Sequence, residues 1–362
     1  MEMGLIEEGL YHAKVAVDLN PNNEFALSNL GAAQITSGKF NEAAISLQKA
    51  LQIDPRLLKC NAALGRLECL LGNWEGGIKW YNTSYKLDPE NQGLEDGVYL
   101  AVLAYLINDY ASGNRYIEST KTVQNSTLPI HKAAKGYWFL LNNLLLHHQS
   151  KATFIHSTLI YVVGESHSLS YSNNEVMHLG QMKQCKSLWI PGCKQWHLGN
   201  KHLNQYKSAV MQHFKSLTKN STVLMVIGEI DCRPDEGIAK FLHNNPSHSI
   251  DTVIHKTITA YLDWLTQINI DTGHQIIISG VPASNIDLKN LEIISKEAFL
   301  NLIRVFNQVL REESLIRGFE FLDVYAMTAN DYGISNGKWH IDEFHLKPTA
   351  IPVLFNDFLI KL

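Results

Sequence analysis

The first hundred residues carry apolar positions three to four apart, interrupted at regular intervals by Gly and closed by Pro. "NEFALSNLGAAQITSG" and "FNEAAISLQKALQI" are such stretches, and each predicts an amphipathic helix with one buried face. The pattern then repeats. "LNP" at 19–21, "IDP" at 53–55 and "LDP" at 87–89 set Pro21, Pro55 and Pro89 at intervals of 34 residues. Gly31 and Gly65, Gly38 and Gly72, Ala16 and Ala50 fall at equivalent places. Small residues at fixed positions let two helices approach closely, so each unit is predicted to be a helical hairpin and the series a stacked array. The chain begins inside the period, with only the second helix of a first unit. "NQGLEDGVYLAVLAYLINDYASGNRY" keeps the helical pattern without its Gly and Pro marks, as a capping unit does.

Past "LPIHKAAKGYWFLLNNLLLHHQSK", read as a bridging helix, the pattern changes to short apolar runs between longer amphipathic stretches. The strand candidates are "LIYVVG" (159–164), "SLWIP" (187–191), "TVLMVIG" (222–228), "QIIISGV" (275–281) and "FEFLDVY" (319–325). Near-continuous apolar strands between helices predict a sheet covered on both faces. The expected architecture is a helical solenoid over 1–122, a bridging helix or linker over 123–152, and a three-layer α/β/α domain over 153–362 on a mainly parallel, five-stranded sheet. In such sheets ligands bind at the carboxyl ends of the strands. The unusual polar clusters fall there: "GESHS", "PGCKQWHL", "GEIDCR" and "GVPASN" follow the first four strands, and "WHIDEFHLKP" precedes the last helix.

These clusters contain the parts of an acyl-transfer centre, which needs a nucleophile, a base and a group that orients the base. Ser166, at a strand-to-helix turn, would expose its Oγ and aim its own amide at a developing oxyanion. Asp342 and His345 stand three apart, so one tight turn can set the carboxylate beside the imidazole. The competing readings are a helix N-cap for Ser166 and a surface histidine for His345. His167 either touches substrate or is an incidental turn residue, and Asp231 anchors its loop by accepting backbone hydrogens.

Composition narrows the classes. Lys and Arg number 31 against 35 Asp and Glu, a formal charge of −4 with no basic block, which predicts neither a nucleic-acid nor a membrane partner. Five cysteines without a C-x-x-C pair fit reduced thiols, and the acidic N-terminal stretch lacks the form of a secretory signal, so a cytoplasmic protein is expected. His243, His248 and His255 have no Cys or carboxylate to complete a metal set, and no metal or other cofactor is expected.

Two family resemblances follow from these residues. Gly31, Ala43, Ala50 and Pro55, then Gly65, Gly77, Tyr81 and Pro89, are similar to the small, aromatic and proline positions of tetratricopeptide repeats over about residues 5–120, which implies a protein partner. Residues from about 155 to 362 resemble the SGNH or GDSL hydrolase superfamily through Gly164-Glu165-Ser166, Gly192, Gly228 to Asp231, and Asp342 with His345. That resemblance implies Ser166 as nucleophile, His345 as base, Asp342 as its orienting acid and Gly192 as an oxyanion amide. Glu165 stands where the family usually has Asp, and with His167 it is placed among the residues facing substrate. Ile230 stands where the family has an Asn that donates to the oxyanion; Arg233, then Asn285, are the expected replacements. "GESHS" together with "GEIDCR" resembles a subgroup encountered beside glycan-assembly enzymes, which implies a carbohydrate O-ester as substrate. Water as acceptor gives an esterase and a sugar hydroxyl an O-acyltransferase. Ile230 motivates the alternative of a non-catalytic, glycan-binding adaptor, and a peptidase or thioesterase is the weaker third reading.

Overall fold

The computed structural model describes residues 2–128, 131–148 and 158–361. It divides into two compact units, Met1–Lys151 with Lys201–His213, and Ala152–Asn200 with Phe214–Leu362. The expected boundary at 152/153 lies outside the described residues.

The first unit is helical: α1 (Glu2–Leu19), α2 (Glu24–Thr36), α3 (Phe40–Ile53), α4 (Leu58–Leu70), α5 (Trp74–Leu87), α6 (Gln92–Leu106), α7 (Tyr110–Ser119) and α8 (Lys132–His148). The repeated glycines mark where helices cross. A Cβ on Gly31 of α2 would lie 2.5 Å from Leu47 Cγ of α3, and one on Gly65 of α4 would lie 2.8 Å from the Tyr81 ring of α5. Gly38 and Gly72, at the intervening turns, both take φ +75°, a conformation that favours glycine. Asn23, Asn73 and Asp109 cap α2, α5 and α7 by accepting from the amides of Ala26, Gly76 and Ser112. The bridging helix of the sequence reading, α8, packs within this unit. Its Trp138 Nε1 donates to the Ile117 carbonyl at 2.8 Å, and Leu140, Leu141 and Leu144 are fully buried.

The second unit runs β1 (Leu159–Gly164), α9 (His167–Tyr171), β2 (Glu175–His178), β3 (Gln181–Trp189), α10 (Gln195–Gly199), α11 (Gln205–Ser216), β4 (Thr222–Val226), α12 (Glu229–Cys232), α13 (Gly237–Asn244), α14 (Ile250–Asn269), β5 (Gln275–Ser279), α15 (Lys296–Ile316), β6 (Glu320–Leu322), α16 (Val324–Thr328), α17 (Ala350–Asp357) and β7 (Leu359–Ile360). The strand order is β2-β3-β1-β4-β5-β6-β7. Strands β3, β1, β4, β5 and β6 run parallel, while β2 and β7 pair antiparallel at the two edges. The sheet is therefore mixed and seven-stranded, which corrects the expectation of a mainly parallel sheet of five strands. The missed strands lack a continuous apolar run: β2 buries Val176 and His178 but exposes Met177, and β7 has two residues. A two-residue turn, Leu179-Gly180, joins β2 to β3 with both φ positive, as tight hairpins prefer. Central β4 is buried at every position, and Ile351 and Leu354 of α17 join Ile160, Val162 and Leu224 in one core. All five cysteines are free and buried.

Helix α11, given above in chain order, is divided: residues 201–213, which include most of it, belong to the first unit, and Phe214 onward to the second. Ser208 Oγ donates to the Gly38 carbonyl at 2.9 Å, and Arg66 donates to Gln205 Oε1 at 2.5 Å.

Candidate active site

Strand β1 ends on a glycine because its neighbour leaves no room for a side chain: a Cβ on Gly164 would lie 2.2 Å from the Val226 carbonyl oxygen of β4. The chain then turns directly into α9 with Ser166 at the N-cap position, yet the Ser166 side chain makes no capping bond. Its Oγ lies 2.9 Å from His345 Nε2 and 2.6 Å from Glu165 Oε2. His345 Nδ1 in turn lies 2.8 and 3.0 Å from the two carboxylate oxygens of Asp342. Asp342 is fixed by its own turn, since Oδ1 also accepts from the amides of Phe344 and His345 at 2.8 and 2.7 Å. Ser166 is 9 % and His345 6 % exposed, so the chain of contacts is largely removed from water but still reachable.

The charges around this chain are mutually supporting. Burial alone would raise the Asp342 carboxyl, but the charge and ring hydrogen bond of His345, with the two amides, hold it well below the usual carboxylate range. Burial likewise opposes ionisation of Glu165, and the His167 charge outweighs it, bringing the carboxyl down to about 2. The partner responds in kind: burial would lower His167, and Glu165 raises it to about 9. His167 Nδ1 approaches Glu165 Oε1 at 2.7 Å, at an angle outside good hydrogen-bond geometry, so the contact is an ion pair first.

Five chain segments meet here through specific bonds. The Ile190 amide donates to the Gly164 carbonyl at 2.7 Å, which brings the turn carrying Gly192, at φ +73°, to the end of β1. Asp231 accepts from the Gln195 and Trp196 amides at 2.8 and 3.2 Å, the anchoring role its position suggested. Among the described residues, neither the Ser166 nor the Gly192 amide is spent on another acceptor.

Three residues of the expected substrate-facing set are engaged differently. Arg233 is held by Glu229, with Nε 3.1 and 2.9 Å from its two oxygens and Nη2 at 2.8 Å, and its guanidinium lies 4.6 Å over the Phe344 ring. Its charge is already neutralised, so it is not a free cation for an oxyanion. Asn285 Nδ2 donates to the Asp342 carbonyl at 2.9 Å and props the triad loop. Glu165, 1 % exposed and anionic, would repel an oxyanion rather than bind it. Ile230 is buried and offers no donor in place of these. Glu229 and Phe344 were missed by the sequence reading. The Glu229–Arg233 spacing of four on a helix was the available signal for the first; the Phe344 carbonyl, which faces His167 Nε2 at 3.1 Å, had none.

A cavity of about 20 Å³ lined by Glu165, His167, Tyr171 and Ser279 lies beside the centre, and a second of about 20 Å³ is lined by Arg233, Ser284 and Phe344. A larger groove, about 630 Å³, lies elsewhere, at the amino ends of β5 and β6. Among the described residues no group of three or more His, Cys, Asp or Glu side chains could hold a metal, and no helix is long and apolar enough to cross a membrane.

No family model matches the chain. It is 30% identical over 83 residues to a small glutamine-rich tetratricopeptide repeat-containing protein of Mycosarcoma maydis, covering 23% of this chain and 24% of that protein. It is 29% identical over 91 residues to Hsp70-Hsp90 organizing protein 3 of Arabidopsis thaliana, covering 25% of this chain and 16% of the relative. The chain thus spans less than a quarter of the length of either relative. Among solved structures, a GDSL-like lipase from Bacteroides thetaiotaomicron aligns with 59% of this chain and 92% of its own, at 10% identity and a TM-score of 0.35. The matched residues are thus similar to tetratricopeptide repeat proteins.

Proposed function

We propose that the second unit carries out serine-based acyl chemistry on a carbohydrate O-ester, and that the helical repeats bring it to a protein partner. The observation that carries this reading is the continuous relay Ser166 Oγ, His345 Nε2, His345 Nδ1, Asp342 at 2.9 and 2.8 Å. In it Ser166 attacks the acyl carbon while His345 takes the hydroxyl proton and later returns it to the leaving oxygen. Asp342 fixes the tautomer and stabilises the imidazolium. The Ser166 and Gly192 amides are the donors proposed for the oxyanion. The two cavities beside the centre, each about 20 Å³, have room for roughly one water molecule. Water as acceptor gives an esterase, and a sugar hydroxyl an O-acyltransferase.

A second reading, a glycan-binding adaptor without turnover, is favoured by Ile230: losing one side-chain oxyanion donor costs about 10²- to 10³-fold in rate. A fluorophosphonate probe separates the two. Labelling of the wild-type protein but not of Ser166→Ala, together with loss of para-nitrophenyl acetate hydrolysis in His345→Ala, is expected. Folded wild-type protein that takes no label would leave the adaptor. With a labelled centre, acetyl transfer to an added glycan in preference to hydrolysis identifies the transferase.

A further inference from the structure

We infer that His167 is a positioning residue: as a fixed imidazolium paired with Glu165, it keeps that carboxylate from retaining the Ser166 hydroxyl proton and so releases the proton to His345. The inference rests on the serine-centred reading above and deepens it.

Ser166 has one hydroxyl proton and two acceptors in reach, Glu165 Oε2 at 2.6 Å and His345 Nε2 at 2.9 Å. The carboxylate is the nearer and is buried, which strengthens its hold. While it holds the proton, His345 can meet Oγ only by donating, as an imidazolium that cannot act as base. The productive arrangement therefore needs the electron density of Glu165 drawn elsewhere. His167 does this directly. Its Nδ1 is 2.7 Å from Glu165 Oε1, and its backbone amide donates to Oε2 at 3.2 Å.

The geometry also fixes the charge of the ring. A neutral imidazole has a single N–H, yet both nitrogens of His167 face oxygens that can only accept, Nδ1 the Glu165 carboxylate and Nε2 the Phe344 carbonyl at 3.1 Å. Nε2 must donate to the carbonyl, and a bare Nδ1 lone pair 2.7 Å from a carboxylate oxygen would be repelled, so the ring carries both protons and meets Glu165 as an ion pair. That ring is 4.4 Å from the His345 ring, centroid to centroid, and tilted by 34°. A fixed positive charge there acts at short range on the ring that must take the Ser166 proton. The other groups around the pair are Asp342, the ion-paired Glu229 and Arg233 of the third segment, Asp231 and the Cys193 thiol, both of which feel the Glu165 charge, and His340, which burial brings down to about 4 and so keeps neutral. In the reactive step the Ser166 O–H bond breaks, its proton passes to His345 Nε2, and the oxygen's electron pair forms the bond to the acyl carbon. His167 neither gains nor loses a proton.

The test is imidazole ¹H–¹⁵N NMR on the whole, ¹⁵N-histidine-labelled chain, with His167 assigned by its loss in His167→Gln. Both His167 nitrogens are expected to be protonated at about pH 7.5 and to lose the charge near pH 9, whereas in Glu165→Gln the charge is lost below about pH 7.5. One bare nitrogen on wild-type His167 at about pH 7.5 overturns the inference. Should His167→Gln not fold, Glu165→Gln supplies both the assignment and the shift. The second readout is the pH dependence of fluorophosphonate labelling at Ser166. In His167→Gln its acid limb is expected to move up by about one pH unit or more. A lower plateau with an unmoved limb means a merely structural role and overturns the inference. Wild-type protein that does not label sinks the serine-centred reading itself, whereas labelling with a neutral His167 sinks only this inference.

Discussion

At the residue scale, the centre is a set of charges each held by a neighbour. Asp342→Asn preserves the shape of the side chain but presents an N–H to His345 Nδ1, which favours the wrong tautomer. A fall in esterase rate of about 10⁴-fold, with the fold intact by circular dichroism, is the expected outcome, as for the same change in serine protease triads. The Glu165–His167 pair also makes stability depend on pH. Glu165 drops from 4.5 to about 2 on folding, so its contribution is present above about pH 4.5 and lost as pH falls toward 2. His167 rises from 6.5 to about 9, so its contribution is complete below about pH 6.5 and lost as pH rises through 9. Urea midpoints of the second unit should be higher at about pH 6 than at about pH 9.5, and the double variant Glu165→Gln/His167→Gln should narrow that gap.

At the scale of elements, the end of β1 decides where Ser166 stands. Gly164→Ala would drive a methyl group into the Val226 carbonyl, which is backbone and cannot rotate away. A loss of about 3 kcal/mol or more by urea unfolding is expected, at or beyond the usual range for overpacking. In the repeats, Asp96 of α6 is 2 % exposed, and burial brings its carboxyl up from 3.8 to about 7. Its contribution is complete below about pH 3.8 and is lost progressively as pH rises from there through 7, so Asp96→Asn should raise the melting temperature of the first unit most at about pH 8 and by clearly less at about pH 5.

The same elements show what the sequence could reveal. The bounds of β1 were readable because "LIYVVG" is apolar throughout and stops at a glycine and an acid. The meeting of Ser166, His345 and Asp342 was readable because these residues lie within short, punctuated clusters. Strand β2 and the first half of β3 were not, because edge strands alternate and "QMKQCK" looks like a polar loop until it is paired. Arg233 was misread for a related reason: a cation at a strand end looks available until Glu229, one turn earlier, is seen to hold it. Helix α8, expected as a bridge, packs its Leu-rich face on α6 and α7 of the same unit.

At the scale of the whole molecule, sequence order and compact units do not coincide. The chain leaves the first unit at Lys151 and returns to it for Lys201–His213, where Ala209 and Val210 are fully buried. A fragment beginning at Ala152 would therefore carry a piece of the helical unit stripped of its neighbours. Such a fragment is expected to aggregate or to show lower thermal stability than the whole chain, checked by light scattering and calorimetry. The returning segment also sets a schedule. A ribosome releases α1 to α8 well before residues 201–213 emerge, and at about 5–20 residues per second the helical unit waits several seconds for its last piece. During that wait the Gly38 carbonyl and the Arg66 guanidinium lack the partners that Ser208 and Gln205 supply in the folded chain.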